Sequence, residues 1–485
     1  MKRISSLLII ICLLLTSCQL SEGNSPKPPV TSEQSTTAPT TLEGVTLTEL
    51  PSVSVSDFEE ETTTDITLMQ NTVTQTQGVT IPTTQKTTAS QTTKVATTTP
   101  KTTVPKTTVP ATTKPQTQPQ SSSAEMRAIW ISCYDYTSAA GKTKTQYKAI
   151  TDKMFKTIKD NGFNTAFVHL RANSDAFYKS DIFPYSVYIA GKEGASLSFD
   201  PFAVLLESAK AYGISVHGWI NPFRVNTQSD VSKLSASNPA KKILNEGNPE
   251  GRICVLSNGI YYNPAHTENH KLILDGVREI INKYDIDGIH IDDYFYPTTS
   301  EEIDKEQYAA YKASGGTLSL SKWRVANVNA FVSALYSTVK AKDSSLIVSI
   351  SPAGQVDKTL EEAYADCRTW LKQSGYADII IPQIYFGFEH QTQDFEKLLK
   401  QWASLPRHSS VKLMCGIPAY KCGKADSYAG TGKNEFIDNS DILVRQLQSI
   451  RSNKNYSGFA VFSYADLERA ACKTEITNLR NEILK

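Results

Sequence analysis

The stretch Gly288-Ile-His-Ile-Asp-Asp-Tyr294 ends an alternating apolar run on two adjacent carboxylates. Alternation sorts a strand's side chains onto two faces. Gly288, His290 and Asp292 therefore share one face, and Ile289 and Ile291 the other. Asp292 stands at the strand's end, and Asp293 points the other way unless the strand has already bent. Three other apolar runs carry comparable residues. Thr165–Arg171 offers His169 and Arg171, and Ile214–Asn221 offers His217, Trp219 and Asn221 with Arg224 just beyond. The run Asp378–Tyr385 offers Gln383 and Tyr385. A carboxylate among amides, an Arg, imidazoles and aromatics suits carbohydrate chemistry. Aromatic faces stack on pyranose rings, amides and Arg bond hydroxyls, and carboxylates supply acid with base or nucleophile. On this reading Trp219 and Tyr294 line a subsite, Asn221, Arg224 and Gln383 hold the sugar, and Arg171, His217 and Tyr385 add contacts. His290 tunes or orients Asp292.

Two other readings stay open. His169, His217, His290 and Asp292 are the residue types of a metal-dependent barrel hydrolase. The His-x-His of such enzymes is missing from the first strand, which carries Trp130 and Ser132 instead, and no metal or cofactor is expected. Trp130 and Trp219 also suit core filling, and a lone His169 suits a satisfied core group. Asp285 and Asp287 precede their strand and read as turn and capping residues. Cleavage by two carboxylates needs a second acid, ~5 Å from the first for retention or ~6.5–9.5 Å for inversion. Asp293 and Glu389 are the candidates ranked ahead of Asp466.

The surrounding pattern says what positions these residues. From Met126 onward short apolar runs alternate with amphipathic segments, eight times in succession. The runs begin at Arg127, Thr165, Ile214, Gly288, Leu346, Asp378, Val411 and Gly458. The helical segments are 147–160, 201–212 (opened by Asp200 as N-cap with Pro201 behind it), 270–284, 322–342, 360–375, 395–402, 440–452 and 475–484. An insertion after the third run reads as a hairpin, 252–256 against 260–262, around Asn258-Gly259. Eight strand–helix units predict an α/β fold, a (β/α)8 barrel, with its site at the C-terminal strand ends. A doubly wound sheet competes, but its Gly-rich turn is absent: Ser132-Cys-Tyr-Asp-Tyr136 follows the first strand.

The first quarter is different. Phe58 is the only aromatic between Leu20 and Ile129, and 24 of the 60 residues from Glu61 to Gln120 are Thr. Lys101-Thr-Thr-Val-Pro105 repeats as Lys106-Thr-Thr-Val-Pro110. Such a segment cannot bury enough apolar area to offset chain entropy, so 18–123 reads as a disordered Thr/Pro-rich linker. Its reach runs from ~60 Å as a coil to ~300 Å extended. Before it, Lys2 and Arg3 precede the apolar run Ser6–Leu15, which is shorter than the ~20 residues that span a bilayer. Leu15-Thr16-Ser17-Cys18 resembles the bacterial lipobox, whose Cys is acylated after cleavage. The expectation is a signal peptide over 1–17, a lipid anchor on Cys18 that makes the membrane a partner, and an extracytoplasmic barrel over 124–485. The net charge of +1, without a Lys/Arg block in the folded part, makes nucleic acid an unexpected partner. Cys415 and Cys422 lack metal spacing. They read either as a pair or as buried thiols.

Several motifs together resemble the glycosyl-hydrolase-like 10 family. They are Met126-Arg-Ala-Ile-Trp-Ile-Ser132, Gly162-Phe-Asn-Thr165, Gly218-Trp-Ile-Asn-Pro-Phe-Arg224 and Asp287-Gly-Ile-His-Ile-Asp-Asp-Tyr-Phe-Tyr-Pro297, with Ser349-Ile-Ser-Pro-Ala353 and Pro382-Gln-Ile-Tyr385. The resemblance covers most of Met126–Lys485. It implies a TIM barrel in a bacterial lipoprotein or secreted protein, and a glycosidase-like activity on peptidoglycan strands stripped of stem peptides. It puts Asp292 and Asp293 in the family's acidic motif and Trp219, Asn221 and Arg224 in its strand-three motif. The alternative function is a lipoprotein that binds wall glycan without cleaving it.

Overall fold

The computed structural model describes residues 125–485. The expected signal peptide, Cys18 and the expected linker lie outside the described residues. Eight parallel strands close into a barrel: β1 (Met126–Ile131), β2 (Thr165–Arg171), β3 (Ser215–Ile220), β7 (Gly288–Ile291), β8 (Ile347–Ile350), β9 (Ile379–Ile380), β10 (Lys412–Pro418) and β11 (Tyr456–Phe462). Between β3 and β7 the chain adds a three-stranded antiparallel sheet of β4 (Arg224–Asn226), β5 (Ile253–Leu256) and β6 (Gly259–Tyr262), in the order β4-β6-β5.

Residue alternation builds two cores. Ala128, Trp130, Phe167, Trp219, Ile379, Ile381, Met414 and Ala460 fill the barrel interior. The opposite faces of the strands, including Ala166, Val168, Leu170, Ile289 and Ile291, join a larger core beneath the helices. The helices form because their apolar residues recur along one face and their ends are capped. Lys144–Asp160 buries Tyr147, Thr151, Met154, Phe155 and Ile158, and the Thr143 side chain caps it with Gln146 reaching back. Asp200 accepts from the Phe202 and Ala203 N–H groups at the head of Pro201–Ala211, as the sequence predicts. At the N-terminal end of the barrel one device recurs. Side-chain oxygens of Asn164, Asp287 and Asp378 accept the backbone N–H of Arg127, Val216 and Val348 on neighbouring strands. Asp287 is thus a strand-start brace.

Several elements differ from expectation. The run 378–385 forms regular ladder only over Ile379–Ile380, because Pro382 has no N–H to donate. Its path continues through separate bonds from Ile381, Gln383 and Ile384 to Ile350, Pro352 and Gly416 carbonyls. The helix expected over 360–375 is two helices, Val356–Ala363 and Cys367–Lys372, broken at Tyr364, whose φ is +56°. The hairpin turns one residue earlier than expected. Leu256 pairs with Gly259, leaving Ser257 and Asn258 as the loop. Gly259 (φ +146°) is needed there because a Cβ would meet the Asn226 carbonyl at 2.5 Å. The helix Lys305–Ala313 and strand β4 were not anticipated. All six described cysteines are free thiols, Cys415 and Cys422 included.

Gly288 sits where β7 is pressed between its neighbours. A Cβ would lie 2.4 Å from the Ile347 carbonyl and 2.9 Å from His217 Nδ1. Gly288→Ala is therefore expected to cost roughly 1–3 kcal/mol by overpacking, read as a lower midpoint in denaturant unfolding. An unchanged midpoint would mean that the strands separate freely here.

Candidate active site

Asp292 is the first residue past β7, and it is 3% exposed. Its Oδ2 accepts from Trp219 Nε1 at 3.1 Å and from Asn221 Nδ2 at 3.4 Å. Its Oδ1 is buried without a well-aligned donor. Burial pushes the carboxyl up to about 7, and the Asp293 charge adds to that rise, against a lowering by Arg224, the Trp219 indole N–H and the Tyr294 backbone N–H. Asp293 is half-buried and close enough for its charge to act on Asp292, and the Gln383 side chain, which donates to the Ser351 carbonyl at 2.8 Å, lies beside it and favours its ionised form. Burial raises it too, to about 6. The alternation that would have sent Asp293 away ends with Ile291, and the bend that follows brings both carboxylates together.

The donors to Asp292 are themselves fixed. Trp219 stacks on His169 with centroids 3.7 Å apart and planes 6° apart. His169 Nδ1 accepts the Cys133 backbone N–H at 3.2 Å. Asn221 Oδ1 accepts the Arg224 N–H, and the Arg224 side chain donates to the Ala172 carbonyl while lying over the Tyr294 ring at 4.6 Å. Beneath this layer His290 Nε2 accepts from Trp130 Nε1 at 3.0 Å, and its Nδ1 lies 2.9 Å from Ser349 Oγ. An indole N–H only donates, so Nε2 carries the lone pair and Nδ1 the proton. Ser351 Oγ also meets Nε2, at 3.0 Å. His290 is stacked on Phe167, and burial holds its basicity well below the usual imidazole range. It therefore supports the barrel floor and does not hydrogen-bond Asp292.

Four residues expected at the site are placed elsewhere. Arg171 is 1% exposed, and its guanidinium donates to the Asn221 and Pro222 carbonyls. A bulge between His169 and Arg171 breaks the alternation and sets Arg171 opposite Ile220, toward Phe183 in the outer core. It braces the loop that carries Asn221, and the expected sugar contact is corrected to that role. His217 faces the axis but lies two residues below Trp219, against Phe167 and level with Gly288, so it does not reach the mouth. Burial lowers it to about 4. Glu389 is exposed in the loop after β9, where its N–H donates to the Glu435 carboxylate. No described contact ties its side chain to Asp292. Asp466 accepts from Ser463 and pairs with Arg469.

Tyr385 stands at the mouth, edge-on to Trp130, and packs with Tyr420 and Phe462. The sequence reading missed those last two, although Phe462 is in step with inward-facing Ala460. It also missed Ser349 and Ser351. Among the described residues no three His, Cys, Asp or Glu side chains group as a metal site. Both His290 nitrogens and one of His169 are engaged in hydrogen bonds.

The model of the family described as glycosyl hydrolase-like 10 matches residues 125–430. The chain belongs to that family. Its relatives include glycosyl hydrolase YngK of Bacillus subtilis, 30% identical over 358 residues, covering 69% of this chain and 68% of that protein. Glycosyl hydrolase DigH of Escherichia coli is 28% identical over 340 residues, covering 63% and 75%. Among solved structures, the catalytic domain of β-amylase from Paenibacillus polymyxa is similar at 10% identity and a TM-score of 0.48, covering 74% of this chain and 98% of that one. The α-L-fucosidase isoenzyme 2 of Paenibacillus thiaminolyticus is similar at 14% identity and a TM-score of 0.45; the chain spans about half of its length, 48%. Membership of the glycosyl hydrolase-like 10 family supports a glycosidase-type function, and the closed barrel with its site at the C-terminal strand ends fits it.

The raised Asp292 carboxyl has a consequence for stability. Between the ordinary value of 3.8 and about 7, the folded chain keeps a proton that the unfolded chain has lost. Stability therefore falls as pH rises through that window and stays low above it. Asp292→Asn can keep its amide oxygen facing Trp219 and Asn221. The variant is expected to melt above wild type at pH ~8, by several degrees, with the gap narrowing toward pH ~5. A gap independent of pH would show that Asp292 ionises without cost.

Proposed function

We propose that this protein is an extracytoplasmic glycoside hydrolase, anchored through lipid on Cys18, that cleaves glycosidic bonds of a cell-wall glycan. The substrate we favour is peptidoglycan strands lacking stem peptides. The observation that carries the proposal is Asp292: a carboxyl at a barrel mouth, buried enough to hold a proton near neutral pH, with one oxygen fixed by two donors and the other unpartnered. That is the state a general acid needs in order to protonate a departing glycosidic oxygen. Asp293 is the neighbouring carboxylate, with the Gln383 side chain beside it. Arg224 over Tyr294 offers its cation to sugar hydroxyls, and Tyr385, Tyr420 and Phe462 provide an aromatic wall for a pyranose face. Stem-free strands suit such a mouth because bare sugar rings can lie directly on aromatic faces.

The linker read from the sequence gives the anchor a purpose. A tether of ~60 Å or more would let a membrane-bound barrel search the glycan around it.

Two measurements test this reading. Wild type incubated with stem-free glycan strands is expected to release new reducing ends, and Asp292→Asn to release them at least ~10²-fold more slowly while still pelleting with the glycan. Wild type that binds but releases none would make the protein a glycan-binding module. For the anchor, Cys18→Ala is expected to move the full chain from the membrane fraction to the soluble fraction. Retention in the membrane fraction would refute lipid anchoring at Cys18.

A further inference from the structure

Two-carboxylate hydrolysis places its acids on opposite sides of the scissile bond. Asp292 and Asp293 are adjacent residues at one strand end, with Cα atoms ~3.8 Å apart. Both lie on the β7 side of the mouth. Other carboxylates at this end are engaged. Asp135 accepts from Ser132 N–H and Oγ, and Asp466 from Ser463 with Arg469 beside it. Glu435 accepts the N–H groups of Phe388 and Glu389 and pairs with Arg445. Asp175 accepts the Asn173 N–H at 3.2 Å. Among the described residues, no hydrogen bond or ion pair ties any of these four carboxylates to Asp292 or Asp293, whereas the two adjacent aspartates act directly on one another.

A 2-acetamido sugar supplies its own nucleophile. We propose that Asp292 and Asp293 form a substrate-assisted pair specific for 2-acetamido sugars, in which the substrate's acetamido oxygen attacks the anomeric carbon. The inference rests on the wall-glycan reading above and deepens it. Asp292 Oδ2 already accepts two hydrogen bonds, so its proton sits on the unpartnered Oδ1. That proton passes to the glycosidic oxygen as the C1–O bond breaks, and the bonding pair leaves with the departing sugar as a hydroxyl. The acetamido oxygen bonds to C1 and closes an oxazolinium ring. The Asp293 carboxylate, with the Gln383 side chain beside it, accepts the ring N–H and balances its charge. Asp292, now ionised, takes a proton from water as the water oxygen bonds to C1 and the C1–acetamido oxygen bond breaks. The acetamide and the Asp292 proton are restored, and the net change is one glycosidic bond hydrolysed with retained configuration.

The test uses the full chain with stem-free strands, N-acetylated or chemically de-N-acetylated, and a 2-acetamido-derived thiazoline as a stable mimic of the cyclised sugar. Expected are retention at C1, cleavage of de-N-acetylated strands at least ~10²-fold slower, competitive inhibition by the thiazoline, and a similar fall in kcat for Asp293→Asn. Asp293→Asn should also lose thiazoline affinity while keeping wild-type circular dichroism, which separates a substrate contact from a folding defect. Inversion, or equal cleavage of both strand types, would overturn this inference and leave the hydrolase reading standing. Absence of cleavage on either strand type would overturn both.

Discussion

The site depends on keeping a carboxylate out of water. A buried carboxylate is strongly penalised unless it is hydrogen-bonded or protonated. Asp292 is half provided for. Trp219 and Asn221 satisfy one oxygen, the other is left bare, and the adjacent Asp293 opposes ionisation. Much of the barrel's polar interior serves to hold those two donors still. His169 clamps the Trp219 ring and is itself pinned by the Cys133 N–H, and Arg171 clamps the loop carrying Asn221. His290, with Trp130 and the two serines, forms the floor. Burial keeps the imidazoles neutral, so none of them places a full positive charge beneath Asp292 to lower it. The charge that does so is Arg224, at the rim.

This division explains which residues the sequence exposes and which it hides. Alternation along 288–292 fixes the face of Asp292, and eight strand–helix units fix which end of the barrel it occupies, so both were legible. Alternation reports the face of a strand but not the height along it. His217 therefore looked like a mouth residue although it lies a layer deeper. It also assumes an unbroken ladder. The bulge beside Arg171 and the bend after Ile291 are set by pairing with distant strands, and nothing local announces them. Pro382 was a local signal for the shortened β9, and reading 378–385 as one strand passed over it. The helix break at Tyr364 carries no Gly or Pro to mark it. The small inward-facing Ser349 and Ser351 were readable from alternation, but two serines look unremarkable until His290 is seen between them.

Family membership and geometry support each other at a coarse level, and the finer chemistry we propose rests on Asp292. A barrel that only bound glycan would gain nothing from a carboxyl poised near neutral pH, since a buried acid costs stability wherever it ionises. The arrangement makes sense if the proton is used. The stalk and anchor expected at the N-terminus would then deliver a short-range acid to a polymer that cannot diffuse to the membrane.

The most direct test of this account is a carbon NMR titration of side-chain carboxyls in wild type and Asp292→Asn. It predicts that one of the carboxyls titrating well above the ordinary value of ~3.9, near pH ~7, vanishes in the variant, and that the Asp293 resonance then titrates lower because its charged neighbour is gone. A resonance assigned to Asp292 that titrates near ~4 would contradict the claim that burial holds a catalytic proton there.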